Sequence, residues 1–314
     1  MHAEAVHGLE IARVADDRDL EGMIEVRIAA DPDRTPPRLE NLRHHLDTQP
    51  GLVYLVARLD GAAIACGFIH PLAPEYAEAH LVVAPDVRGR GIGSAVLAEL
   101  GSCARAADRD QLQGEVREDD TESRAYFERR GYAAVGAERA VALELADVER
   151  PSIDPPDGIR IFSRAELPDL LEGLSAIGLE CLADIPGTND LPSFELWRSI
   201  EVDRPTRLPE LFFVALAGDE PVGYATMDDF GRHGHHGLTA VKRAWRRRGI
   251  ATALKCAQIA AAKERGFERL VTGSEERNVP MRNLNAKLGY LPEPHLSVVV
   301  VRGPADVRSL HGDD

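Results

Sequence analysis

The chain has 314 residues, 44% hydrophobic and 28% charged, an ordinary globular composition that excludes collagen-like, coiled-coil and disordered readings. Lys plus Arg number 37 against 52 Asp plus Glu, a net charge of −15, so no nucleic-acid partner is expected, because duplex binding depends on neutralising phosphates. No apolar run approaches the ~18 residues of a membrane span, Met1-His2-Ala3-Glu4 lacks signal-peptide character, and Cys66, Cys103, Cys181 and Cys256 show no CxxC pairing. The expectation is a cytoplasmic protein with no membrane partner, disulfide frame or metal.

In chain order, a short strand at Ile11–Val14 leads into helical sequence. A β-hairpin follows, from Leu52 to Leu59, through Asp60-Gly61, and back to Ile69. A fourth strand at Ala79–Val83 runs into an Arg/Gly segment and a helix whose apolar positions Ile92, Val96, Leu100 and Cys103 share one face. A strand at Leu112–Val116, a helix ending at Gly131-Tyr132 and a strand at Val141–Leu145 complete the unit. The same order then repeats: a strand at Ile159–Phe162, a hairpin from Leu211 through Gly218-Asp219 to Met227, strands at Leu238–Val241 and Arg269–Thr272, and a helix ending at Gly289-Tyr290.

Three separated anchors make the duplication explicit. Arg88-Gly89-Arg90-Gly91-Ile92-Gly93 recurs as Arg246-Arg247-Arg248-Gly249-Ile250-Ala251, 158 residues on, and Val56-Ala57 and Gly131-Tyr132 recur at the same offset. A period this long means two whole domains. Three prolines and a run of charges around 149–157 read as a linker. The expected division is 1–148, linker 149–157, and 158–314. Strand, helix, strand across the Arg/Gly segment implies a parallel pair within a mostly antiparallel sheet, hence an α+β class in each half.

Each Arg/Gly segment lies between a strand and a helix. A helix N-terminus offers unpaired N–H donors and the positive end of a dipole. Small residues at Gly91, Gly93, Gly249 and Ala251 let a phosphate approach the backbone. Five of the seven residues from Lys242 to Arg248 are cationic, which suits a small polyanion. The spacing fails the dinucleotide fingerprint, and the Gly-Lys-Ser/Thr of a P-loop is absent.

With these motifs the chain resembles the GNAT superfamily of N-acetyltransferases in its tandem, mycothiol synthase-like two-domain form. The pattern Arg/Gln-x-x-Gly-x-Gly/Ala matches Arg88–Gly91–Gly93 and Arg246–Gly249–Ala251. A second signature is present in the C-terminal half: Asn278-x-x-Met281-x-x-x-Asn285-x-x-Leu288-Gly289-Tyr290. The resemblance implies acetyl-CoA (or CoA) as cofactor and a small-molecule amine as substrate. It implies that strands four and five splay into a V that takes the pantetheine arm, with backbone near Val83 and Val241 bonding it. The pyrophosphate would sit on Arg88, Gly89, Arg90, Gly91, Ile92, Gly93 and Ser94, and on Arg246, Arg247, Arg248, Gly249, Ile250, Ala251 and Thr252. Lys242, Arg243 and Lys255 would serve the adenosine 3′-phosphate or form a solvated basic face.

The family's tyrosine acid is missing: its position is Phe127 in the first half and Asn285 in the second. Tyr290 lies nearby, as an alternative acid or a packing residue. Base candidates are Glu78, its counterpart His236, and Asp228 at the end of the third strand. Asn278 and Asn285 are candidates for holding the pantetheine arm, with helix capping the other role for Asn278. Domain 1 keeps the phosphate loop but has Asp120 and Ser123 where domain 2 has Asn278 and Met281, so turnover is expected in domain 2. Acceptor choice would be set by loops such as Ala183–Asp203. A non-catalytic acyl-CoA-binding or sensor protein and a protein acetyltransferase remain open as alternatives. A monomer with internal pseudo-symmetry is expected, a dimer also being open.

Overall fold

Ile92, Val96, Leu100 and Cys103 are all buried, and they lie on one face of a 15-residue helix that starts at Ile92 as its spacing requires. The computed structural model describes residues 7–184 and 191–306. Met1–Glu4 and residues 185–190, within the segment expected to set acceptor choice, therefore lie outside the described residues. In chain order the elements are β1 (Leu9–Arg13), α1 (Asp17–Ala30), α2 (Leu39–Thr48), β2 (Val53–Leu59), β3 (Ala62–His70), β4 (Ala77–Val83), α3 (Ile92–Ala106), β5 (Gln111–Arg117), α4 (Thr121–Glu128) and β6 (Ala133–Glu144). The second series is β7 (Ile159–Ser163), α5 (Leu171–Leu182), α6 (Phe194–Glu201), β8 (Phe213–Ala217), β9 (Glu220–Asp229), β10 (His233–Val241), α7 (Ile250–Glu264), β11 (Arg269–Glu275), α8 (Val279–Lys287), β12 (Leu291–Pro292) and β13 (Val298–Pro304). β4 and β10 begin earlier than expected from sequence. Gly234 has little strand propensity, yet it sits where both neighbours supply ladder partners, Asp229 on β9 and Leu270 on β11.

The packing divides the chain into two units, residues up to Ala137 with Val298 onward, and Glu138–Ser297. No helix or strand forms in the segment 149–157 expected as a linker. The units divide elsewhere because the last strand of each repeat pairs in the other's unit. β13 pairs with β5 from Val298↔Arg117 to Pro304↔Gln111, and β6 pairs with β11 from Glu144↔Arg269 to Glu138↔Glu275. Long-range pairing of this kind leaves no mark on local composition.

Each unit is a mixed α+β layer. In unit 1 the strand order is β1-β2-β3-β4-β5-β13, antiparallel except for the parallel pair β4–β5. Alternation along β2 sends Tyr54 and Val56 towards Met23 and Leu42, and Leu55 and Ala57 towards Val96 and Leu100. The hairpin β2–β3 turns through Asp60 (φ 52°) and Gly61 (φ 81°), both left-handed as a two-residue type I′ turn demands. In unit 2 the order is β7-β8-β9-β10-β11-β6, with β12 on β6 and β10–β11 the parallel pair. Val214 and Leu216 face α5 and α6 with Trp197, whereas Ala215 faces α7 with Leu254. Among the described residues no helix is long and apolar enough to cross a membrane.

Candidate active site

The Arg/Gly segments form two matched loops. Gly91 (φ 84°) and Gly249 (φ 91°) are the left-handed N-caps of α3 and α7, and neither helix has a side-chain cap. The first-turn N–H groups, at Ile92, Gly93 and Ser94 and at Ile250, Ala251 and Thr252, thus lack intrahelical partners and face a positive dipole end. Two residues earlier, Gly89 (φ 75°) and Arg247 (φ 60°) are also left-handed, giving the alternating backbone that makes an anion-binding nest. A Cβ added at Gly249 would meet nothing within 4 Å, so the approach to the backbone is open.

The motif arginines hold the loop closed. Arg88 Nε donates to the Val83 carbonyl at 3.1 Å, and Arg246 Nε donates to the Val241 carbonyl at 3.0 Å. Arg90 and Arg248 each donate to a backbone oxygen four residues back, on Asp86 and Ala244, at 3.1 Å. The Val83 and Val241 carbonyls are therefore already occupied. In unit 2, Arg243 and Arg246 also pair with Asp184 at 2.6 Å, and Lys242 pairs with Glu220 at 2.6 Å. These pairs are partly exposed, where an ion pair contributes little. In unit 1, Arg130 Nη2 donates to Ser94 Oγ at 2.9 Å, crossing the first turn of α3.

Below each loop the parallel pair opens. β4 and β5 pair only at Ala77↔Leu112 and Glu78↔Gln113, and β10 and β11 only at His233↔Arg269, Gly234↔Leu270 and His235↔Val271. β4 runs on to Val83 and β10 to Val241, so each pair is a V with its mouth at the phosphate loop. The two V's differ at the vertex. β4 keeps continuous register with β3, whereas β10 shifts register against β9 between His236 and Thr239. The bulge takes Gly237 and Leu238 off the regular ladder beside the vertex, as bulges near active sites do. It also corrects the residue correspondence: Asp228↔His235 matches His70↔Glu78, so His235, not His236, stands where Glu78 stands.

The vertex side chains differ as well. In unit 1 the cleft between β4 and β5 is lined by His80, Leu97, Leu100, Phe127 and Tyr132, among others. The repeat places Lys255, Gln258, Asn285 and Tyr290 at the last four of those positions. Gln258 Nε2 donates to the Leu211 carbonyl at 3.4 Å, which aims its Oε1 at His236 Nδ1, 2.9 Å away. Nδ1 therefore carries the imidazole proton, and Nε2 accepts from the Tyr290 hydroxyl at 2.5 Å. Burial, with the Lys255 charge adding to it, holds His236 well below its ordinary value, so the ring is neutral. Burial pushes the Tyr290 phenol upwards and the Lys255 ammonium down to about 7. Lys255 lies 5.5 Å from the Tyr290 ring centroid and is 1% exposed, so it is no part of a surface adenosine-phosphate site. Asn285 is equally buried, and neither its Oδ1 nor its Nδ2 has a partner.

Residues 183–290 match the acetyltransferase (GNAT) family, and residues 50–134 match a second GNAT acetyltransferase domain. The chain belongs to the GNAT acetyltransferase family. Both copies are GNAT domains, the protein is an acetyltransferase, and acetyl-CoA is its acyl donor. No curated protein matches the sequence. Among solved structures, a GCN5-related N-acetyltransferase from Sphaerobacter thermophilus is 22% identical, with 95% of this chain and 96% of that one covered and a TM-score of 0.73. A tandem GNAT protein from the clavulanic acid biosynthesis pathway is 21% identical, with 95% and 98% covered and a TM-score of 0.73. A putative acetyltransferase from Pyrococcus horikoshii is 17% identical, with 98% and 96% covered and a TM-score of 0.64. At these identities the likeness is one of fold.

The GNAT site in unit 2 fits acetyl-CoA on three observations: uncapped amides at a left-handed glycine, a V leading from them, and an orphaned buried amide at Asn285. Asn278 has a structural task, since its Oδ1 accepts from Met281 N at 3.3 Å as the N-cap of α8, just as Asp120 caps α4. Glu78 is exposed at the β4–β5 vertex. Asp228 is buried and saturated, by Arg207 Nε and Nη2 at 3.2 and 2.7 Å, Arg204 at 3.2 Å and Thr206 Oγ1 at 2.9 Å. Burial raises the Asp228 carboxyl, but these donors outweigh it and hold the group below its usual range. His236 is closed off on both nitrogens. Among the described residues no group of His, Cys, Asp and Glu converges as a metal site would.

Sequence reasoning missed the partner of this cluster on the other face. Arg207 Nη1 donates to Glu201 Oε2 at 3.0 Å, and Thr226 Oγ1 donates to the same oxygen at 3.3 Å. A Cβ at Gly237 would lie 2.8 Å from Arg207 Nη2, so the guanidinium lies directly over the bulge. Only a glycine in a strand beside a required cation would have hinted at it.

Proposed function

We propose that unit 2 acetylates a primary amine of a small molecule by direct attack of the amine on the acyl group in a ternary complex, and that unit 1 supports the fold or holds a second CoA. The observation that carries this reading is the β10 bulge at the vertex of the V, which β4 lacks. Bound acetyl-CoA supplies the activated acyl group. The chain's own residues do the rest. The amides after Gly249 hold the pyrophosphate, and Asn285 takes an amide of the pantetheine arm with its unpartnered oxygen and nitrogen. Backbone N–H groups freed at the bulge stabilise negative charge on the carbonyl oxygen, where fixed donors act most strongly.

Glu201 offers the acceptor a carboxylate beside that bulge. Arg207 and Thr226 both occupy Oε2, and Glu201 lies on the face opposite α7. Arg207 and the Glu201 side chain crowd this face, which favours a small amine over a folded protein. A lysine-like amine is neutral to only about one part in a thousand at pH 7. It therefore arrives as a cation and is held by Glu201 before it loses its proton. His236 does not take that proton, since Gln258 and Tyr290 engage both nitrogens.

Thiol release from acetyl-CoA across a panel of small primary amines and lysine-containing peptides tests the reading. The expected result is turnover of small amines, with Glu201→Gln raising KM for the amine and leaving KM for acetyl-CoA unchanged. Turnover confined to peptides would contradict it.

A further inference from the structure

The missing tyrosine acid leaves the departing CoA sulfur without an evident partner. Phe127 holds that place in unit 1 and Asn285 in unit 2, and neither delivers a proton. Lys255, on the helix that floors the V, has no partner of its own. It is 1% exposed, the Tyr290 ring centroid lies 5.5 Å from its Nζ, and no carboxylate among the described residues pairs with it. An unpaired buried ammonium calls for a reason, because charge is buried only at high cost unless an anion arrives to meet it.

Its place along α7 says where that anion would be. α7 runs back against β10, and Gln258 contacts His236 at the vertex. Lys255 lies one turn nearer the phosphate loop, about 4.5 Å along the helix. In unit 1 the same helical position is Leu97, which lines the cleft between β4 and β5. A pantetheine arm held at the Gly249 loop would run down the V past the level of Lys255 towards the bulge at Gly237–Leu238, and Lys255 would meet it near its thioester end. Asn285, which the repeat places where Phe127 lines the cleft of unit 1, is a second buried polar group without a partner.

We propose that Lys255 is the catalytic acid of unit 2: it meets the CoA thiolate with its charge and gives it a proton. The inference rests on the reading that the V of unit 2 is the working site. As the amine nitrogen bonds to the acyl carbon, the carbon–sulfur bond breaks and its electron pair passes to sulfur. Lys255 Nζ protonates that sulfur and is left neutral, the amine's surplus proton goes to water, and solvent restores the lysine. The titratable groups facing Lys255 are His236 from β10 and Tyr290 after α8, with Cys256 beside it on α7. The first two stay neutral, so they neither supply nor screen the charge.

The test is the titration of bound CoA, followed by thiolate ultraviolet absorbance, in full-length protein carrying Gly91→Asp so that only unit 2 is loaded. With Lys255 present, the thiol should titrate at least one pH unit below free CoA. Lys255→Leu, which copies Leu97 and keeps the helix face, should return it to the free value and lower kcat at least tenfold with little change in KM for acetyl-CoA. Lys255→Arg should retain the shift in thiol titration. A wild-type complex whose thiol titrates as free CoA does, or a Lys255→Leu complex that keeps the shift, overturns the role of Lys255 while leaving the site in place. CoA affinity that ignores an added Gly249→Asp overturns both.

Discussion

The Tyr290 hydroxyl donates to His236 Nε2 at 2.5 Å, tying the segment after α8 to β10 at the vertex of the V. The pair is buried on both sides, and Gln258 fixes the tautomer that makes His236 an acceptor. This is a structural bond in which no proton needs to move, since burial keeps the phenol protonated and the imidazole neutral.

Tyr290→Phe should therefore act on stability more than on chemistry. It leaves the buried Nε2 without a donor, at a cost of about 1–3 kcal/mol. Urea unfolding should show that loss. kcat of the folded fraction should stay within about threefold, under 1 kcal/mol of barrier. A far larger loss of kcat at full folding would make Tyr290 the acid instead.

Lys255 should leave a signature in the pH dependence of stability. Its folded value, about 7, lies below the unfolded lysine value of 10.5, so between those limits the unfolded chain binds more protons. The destabilisation is complete below pH 7 and fades as pH rises towards 10.5, so stability rises with pH across that window. The full span is on the order of 5 kcal/mol at most. Lys255→Leu should be more stable than the parent at pH 6 and should lack that upward slope. Chemical denaturation of both proteins from pH 6 to 10 reads this directly.

Asp228 carries the opposite sign. Its folded value lies below that of an ordinary carboxylate, so its contribution is present above the unfolded value near pH 4 and is lost as pH falls through the folded value. Asp228→Asn leaves Arg207, buried, and Arg204 facing a neutral group. The expected cost is about 3–5 kcal/mol, the penalty for breaking a buried pair by removing one partner. Differential scanning calorimetry should show it as a lowered Tm, and Glu201→Gln, with its side chain more exposed, should cost less.

The local features of the site could be read from sequence, and the relational ones could not. Arg88, Gly91, Arg246 and Gly249 stand out because a left-handed glycine cap and its arginine clamp are encoded within a few residues. The apolar face of α3 was legible for the same reason. The bulge at Gly237–Leu238 was hidden because it exists only in the register between β10 and β9. Counting residues by the repeat alone therefore aligned His236 with Glu78, one position off. The exchange of β6 and β13 was hidden because their partners lie far away in sequence. From sequence Lys255 reads with Lys242 and Arg243 as an adenosine-phosphate ligand or part of a solvated basic face, whereas the structure buries it, as it buries the counterpart Leu97.

If turnover belongs to unit 2, variants of the two phosphate loops should behave differently. Gly91→Asp and Gly249→Asp each place a carboxylate, and a side chain at a left-handed position, where a pyrophosphate would meet the helix N-terminus. Acetyl transfer to one amine acceptor is measured for both variants and the parent, with folding checked by circular dichroism. Gly249→Asp should lower kcat/KM for acetyl-CoA at least tenfold, about 1.4 kcal/mol, while Gly91→Asp should keep most of the activity. Loss of activity in Gly91→Asp alone, or equal partial losses in the two variants, would contradict the assignment of turnover to unit 2.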